Sequence, residues 1–176
     1  MSVSTSAIRP ETIDRVRSAG VLLLFLVGST AVIMAGSALA QPHFLGWYAE
    51  AAKAPWDFSP WLRASLWMLM HIAMSVAAWL VWQERRNRRV SSALSLYGTQ
   101  LLLHALWRPA LFVFYPTLGS VALWLGGLIM LLMTVTVAAA YVEFRRVSRV
   151  AGLLVIPYLS WTLYILSLNI ALIVLN

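Results

Sequence analysis

Long apolar runs, separated by short links that hold most of the arginines, constrain this chain more than any other feature. A transmembrane helix needs about 20 mostly apolar residues. Five such runs fit, at about Gly20 to Leu39, Leu62 to Trp82, Val90 to Tyr115, Leu118 to Val142 and Val150 to Leu175. The charged stretch QERRNRR closes the second, Pro116 the third and EFRRVSR the fourth. Of 176 residues, 61% are hydrophobic and 11% charged, against about 45–50% and 25% in soluble domains. One soluble core of this size could not hide so much apolar surface. The expected fold is therefore an all-α integral membrane protein, a five-transmembrane-helix bundle.

The formal charge of +7 would suggest nucleic acid in a soluble protein. Here the arginines sit in gaps between apolar runs, so the partners they suit are membrane lipids, with no nucleic acid. Arg9, Arg15 and Arg17 lie in a basic N-terminal tail, residues 1–19, ahead of the membrane domain, residues 20–176. Arg85, Arg86, Arg88 and Arg89 link the second and third runs, and Arg145, Arg146 and Arg149 link the fourth and fifth. With five spans all three groups fall on one side, which puts the N-terminus on the cytoplasmic side and the C-terminus opposite. The first run ends in SALAQ, so a secretory signal cut before Gln41 is an alternative that would leave four spans. Its apolar stretch exceeds a usual signal core, and retention is the expectation. Without cysteine there is no disulfide framework, thiolate chemistry or cysteine-based metal site.

The stretch WYAEAAKAPWDFSPWLRASLW, Trp47 to Trp67, sets four tryptophans and a lone lysine between apolar runs. Tryptophan favours membrane interfaces, so Trp47, Trp56 and Trp61 read as an aromatic belt. The connection is long for a simple link, and Pro55 and Pro60 stiffen it. The second reading is a Trp-rich lid loop between helices 1 and 2, folded over the bundle.

In register along the chain stand Trp47-Tyr48, Lys53, Trp56, Trp61, Trp67 and Met74. Leu80-Val81-Trp82, Glu84, Tyr97, Gln100, Trp107 and Pro109 follow, then Pro157-Tyr158, Trp161 and Leu168-Asn169. This set resembles the translocator protein family, also called tryptophan-rich sensory proteins or TspO/MBR, from about Gly20 to the end. The departures are specific. Lys-Pro-x-Trp reads Lys-Ala-Pro-Trp, a Pro-Pro position reads Phe58-Ser59, and His71 and His104 replace a usual aromatic and a usual asparagine. Arg108 stands where a proline or neutral residue is usual, and Ile165-Leu166 replace small residues. The resemblance implies a ligand cavity under the loop, a homodimer, and roles in porphyrin homeostasis, stress response or lipid-linked transport.

Helical spacing aligns Trp67, His71 and Met74 in the second run. It likewise aligns His104, Trp107, Arg108 and Leu111 in the third, and Tyr158, Trp161 and Ile165 in the fifth, where Pro157 should kink the helix. These are the stripes the resemblance turns toward the cavity. His71 and His104 are ionisable residues within spans, which are costly there and mark function. They read either as neutral imidazoles bridging two helices or as ligand contacts, including axial ligands of haem iron. Arg108 and Lys53 lie nearest the expected cavity mouth, and Arg63 reads as a snorkelling arginine. A tetrapyrrole is a flat apolar disc with carboxylates, matched to indole faces and a guanidinium fork. The expected ligand set is Trp47, Lys53, Trp56, Trp61, Trp67, His71, His104, Trp107, Arg108, Tyr158 and Trp161. The expected partner is a hydrophobic small molecule, a porphyrin or haem, or else a sterol or lipid, with no required cofactor. Trp79 and Trp82 read as belt residues at the far face, and Gly119, Gly126 and Gly127 as packing either between copies or within the chain. The leading function is a membrane receptor or binding protein. Light- and oxygen-dependent porphyrin degradation is the enzymatic alternative that the family resemblance implies, although no nucleophile–base set supports conventional catalysis. Transport is the third.

Overall fold

The computed structural model describes residues 10–176, with side chains described from residue 14 onward. Arg9 of the basic tail lies outside the described residues. Apolar segments in lipid must satisfy their backbone groups internally, which favours helices, and among the described residues there is no strand. The order is α1 (Pro10–Phe44), α2 (Trp47–Glu50), α3 (Pro60–Gln83), α4 (Ser91–Arg108), α5 (Tyr115–Leu118), α6 (Ser120–Val147) and α7 (Arg149–Leu175). A 3₁₀ turn, Glu84–Arg86, follows α3, and a π-helical segment, Pro109–Val113, follows α4.

Among the described residues four helices are long and apolar enough to cross a membrane: Asp14–Phe44, Pro60–Arg86, Ser120–Val147 and Arg149–Leu175. Each overlaps a run read from the sequence. The expected third span is divided: α4 supplies its first part, and the helix changes to π geometry at Pro109 rather than ending at Pro116. Proline has no N–H to continue the α ladder, and Phe114 N–H donates instead to Pro109 O at 3.2 Å. Among the long helices α4 carries the most polar buried face, with Tyr97, Gln100 and His104 turned inward.

Local chemistry sets the ends. Ser59 accepts from Leu62 N–H with Pro60 at the first turn of α3, and Ser148 does the same for Ala151 N–H at α7. Gly119, at φ 57°, supplies the left-handed residue that turns α5 into α6. Helix α7 continues through Pro157. Helix α1 starts ahead of Gly20 and runs unbroken past the Ala-x-Ala sequence, with Ala40 fully buried against the core.

Helix α6 packs along α7 and α4, α3 along α7, and α1 along α3 and α4. The core has two parts. At the arginine-rich end, small and medium side chains such as Ala77, Ala78, Val81, Ala140 and Ala151 surround Phe144, Tyr97 and Tyr158. At the loop end, Trp67, Trp107, Trp161, Phe112 and Leu111 dominate. The glycines of α6 resolve one alternative. A Cβ on Gly126 would lie 2.9 Å from the Leu111 side chain, and one on Gly127 would lie 2.9 Å from Ile173 Cδ1. They are used for close approach within the chain.

Candidate functional site

The large aromatic side chains of the loop end prop the helices apart and leave a cavity of about 510 Å³. Helix α1 contributes Ser37, Gln41 and Phe44, the loop and α2 contribute Leu45 and Tyr48, and α3 contributes Pro60, Arg63, Ala64 and Trp67. Trp107 and Arg108 come from α4, Leu111 and Phe112 from the π segment, and Ile165, Leu168, Asn169 and Leu172 from α7. The wide π turn is what brings Leu111 and Phe112 round to this wall.

The central element of the wall is a pair of nearly parallel indoles. The Trp67 and Trp107 rings lie 5.3 Å apart with 9° between their planes. Trp107 Nε1–H donates to Asn169 Oδ1 at 3.1 Å, and Asn169 Nδ2–H donates to Ile165 O at 2.8 Å, which locks the Trp107 ring. Trp161 meets Trp67 edge-on at 6.0 Å. The Arg108 guanidinium lies 5.5 Å from the Trp67 ring centroid and 5.8 Å from that of Trp107, within cation–π range.

Behind Trp67, away from the cavity, lie both histidines, each almost fully buried. His71 Nδ1 is 3.0 Å from Trp67 O, and His71 Nε2 is 3.2 Å from His104 Nδ1. Three of the four ring nitrogens are thus engaged within the protein, and Trp67 stands between them and the cavity. Axial coordination of haem iron by His71 and His104 does not fit this arrangement, whereas the reading as imidazoles bridging α3 and α4 does. Tyr158 is likewise buried behind the wall and donates to Gln100 Oε1 at 2.7 Å. Trp161 supports Trp67 without lining the cavity.

The tryptophans of the connecting stretch do other work than expected. Trp47 Nε1–H donates to Phe112 O at 3.2 Å, and its ring stacks on Tyr115 at 3.7 Å. Trp56 is half exposed and donates to Ser167 Oγ. Trp61 is 76% exposed. Lys53 is exposed, donating to Ala49 O and Ala51 O with its ammonium 4.9 Å from the Tyr48 ring. The side chains of this region that line the cavity are instead Phe44, Leu45 and Tyr48. Only residues 45–59 connect α1 to α3, since Pro60 already begins a helix.

Arg63 is not a free snorkelling side chain. One of its guanidinium nitrogens donates to both carboxylate oxygens of Asp57, and the two side chains are only 18% and 13% exposed. Tyr164 O–H donates to Asp57 at 3.4 Å and accepts from Phe58 N–H at 3.0 Å. Asn176 exchanges two hydrogen bonds with the backbone of Ala52. The connection is thereby tied to α3 and to α7. Burial holds the Tyr48 phenol above its ordinary pKa, with the nearby Arg63 charge pulling the other way. At the opposite end Trp79 donates to Ser18 of α1, and Trp82 carries Arg85 on its face.

Sequence reasoning passed over Ser37, Gln41, Tyr48 and Asp57 as site residues. Ser37 and Gln41 stand four apart, on one face of the first run. Asp57 lies six residues before Arg63, across the proline that starts α3, and that offset was the available signal for the pair.

Residues 21–175 match the family described as TspO/MBR. The chain is 31% identical over 149 residues to the translocator protein of Ovis aries, covering 81% of this chain and 85% of that one. It is 33% identical over 150 residues to the translocator protein of Sus scrofa, with the same shares of 81% and 85%. The tryptophan-rich protein TspO of Chlorobaculum tepidum is 28% identical over 147 residues, covering 83% of this chain and 89% of that protein.

Proposed function

The chain belongs to the TspO/MBR family, and from that premise we propose that this multi-pass membrane protein is a receptor or binding protein for a flat hydrophobic ligand. A tetrapyrrole, porphyrin or haem, is the leading occupant, and the role is in porphyrin homeostasis, stress signalling or transport. The observation that carries this reading is the cavity walled by two parallel indoles. Its volume falls within the range of about 300–1,000 Å³ typical of small-molecule sites. Indole faces suit a π-system, and the rest of the lining is mostly apolar. A haem would be held here as a disc, with no imidazole on its iron.

The same proposal includes the finer architecture. Helix α4 and its π extension, 91–113, form a fifth crossing, about 34 Å long at 1.5 Å per residue, close to a hydrocarbon core. The arginine-rich end then faces the cytoplasm and the C-terminus lies opposite. The connection 45–59 is the lid, closing the cavity through Leu45 and Tyr48. The relationship suggests a homodimer, for which α6 offers an exposed apolar face with Trp124, Leu128 and Val135.

The test is titration of protoporphyrin into the full chain in detergent, reading tryptophan quenching and the porphyrin Soret band. Saturable quenching with a shifted band is expected. Quenching that rises linearly, as with free detergent micelles, would remove the receptor reading.

A further inference from the structure

Arg108 is the one charged cavity residue without a counter-charge among the described residues. No carboxylate pairs with it among the described residues, and its Nε is buried without a hydrogen-bond partner. The acidic group nearest in function, Asp57, has both oxygens taken by Arg63. Among the described residues the groups set against the Arg108 charge are the faces of Trp67 and Trp107, and the side chain is only partly buried. A cation withdrawn from water in a membrane bundle is costly to hold without a counter-charge.

Its position is built. A Cβ on Gly36 of α1 would lie 2.9 Å from Arg108 Cδ, so α1 omits a side chain where the arginine stem passes. Gly36 stands eight residues before Phe44, another residue of the cavity lining, which is about 12 Å along a helix. The guanidinium lies in the cavity lining beside the indole pair, and the neutral polar side chains of Ser37 and Gln41 of α1 line the same cavity.

We infer that Arg108 is an anion-binding position inside the cavity: the occupant carries a carboxylate, enters with that group first, and lays its apolar body between the indoles and the loop. This rests on the cavity being a ligand site, and it adds a chemical requirement that flatness alone does not impose. A guanidinium presents a planar fork of donors that a carboxylate matches, and such charge-assisted bonds are the strong ones in a dry site.

The experiment compares protoporphyrin, a dicarboxylate, with its dimethyl ester, which keeps the disc and removes the charge. Full-length protein in one neutral detergent is titrated with each, and the ratio of the two affinities is read by tryptophan quenching. The expected ratio is about tenfold or more in favour of the acid. It falls toward one in Arg108→Gln, is retained in part by Arg108→Lys, and drops in Gly36→Val, which displaces the stem without touching the charge. Equal binding of acid and ester by the wild type overturns the inference while leaving the flat-ligand reading intact. An acid preference that survives in Arg108→Gln overturns it as well. If neither compound binds saturably, both readings fall together. The wild-type ratio stands whether or not the variants fold.

Discussion

The two ends of this bundle are built from the same helices and do opposite things. At the arginine-rich end, alanines and Gly152 let α3, α6 and α7 approach closely, and, Ser29 Oγ and Gln100 Nε2 aside, the buried polar groups find partners. Ser75, Tyr97 and Phe25 O form one such group, with Tyr97 O–H and Ser75 Oγ both within 3.3 Å of that carbonyl. At the loop end, rigid indoles hold the helices apart around the cavity, and Trp67 Nε1, Trp161 Nε1 and Arg108 Nε are buried without partners. Satisfied, close-packed interiors serve stability. Of the three unpaired atoms at the loop end, those of Trp67 and Arg108 belong to residues that line the cavity.

Four substitutions test that division. The largest effect is expected from Gly152→Val at the packed end. A Cβ there would sit 2.7 Å from Arg145 Cβ and 2.9 Å from its Cα, a backbone atom that cannot swing away. Destabilisation of about 3 kcal/mol should appear as a large drop in apparent Tm in detergent, and an unchanged Tm would erase the contrast between the ends. Next, Trp67→Leu removes one indole of the pair, and porphyrin affinity measured by quenching should weaken about tenfold or more. A variant that binds as tightly as wild type would mean the parallel rings are only packing. Smaller again, Tyr158→Phe strands Gln100 Oε1 behind the wall and should lower stability by about 1 kcal/mol. Its porphyrin affinity should stay within about twofold, because Tyr158 does not line the cavity. The smallest change is expected from Trp61→Ala, at a 76% exposed ring, with stability shifted by about 0.5 kcal/mol or less. A clear loss of porphyrin binding in that variant would return Trp61 to the lid.

How much of this was legible beforehand depended on whether a residue's role was periodic or pairwise. Periodicity in an apolar run reports which face turns inward, so the stripes of Trp67, His71 and Met74, of His104, Trp107, Arg108 and Leu111, and of Tyr158, Trp161 and Ile165 were all readable, and all but the partly exposed Arg108 are buried. It does not report depth order across helices. For that reason the histidines, expected at the ligand, lie behind Trp67, and Tyr158 lies with them. Composition likewise flagged Trp47, Trp56 and Trp61 without distinguishing an indole that donates to Phe112 O from one left facing outward.

The helical class, the membrane environment and the positions of the long apolar helices follow from the sequence alone, because hydrocarbon leaves a backbone few solutions and apolar length sets which segments take them. The tertiary structure alone decided that Gly36 makes room for Arg108, that Gly126 receives Leu111, that Asp57 neutralises Arg63, and that one guanidinium is left beside two indoles. Each of these is a contact between residues distant in the chain or across a helix start. Its energy depends on distances of a few ångströms that no one-dimensional pattern encodes.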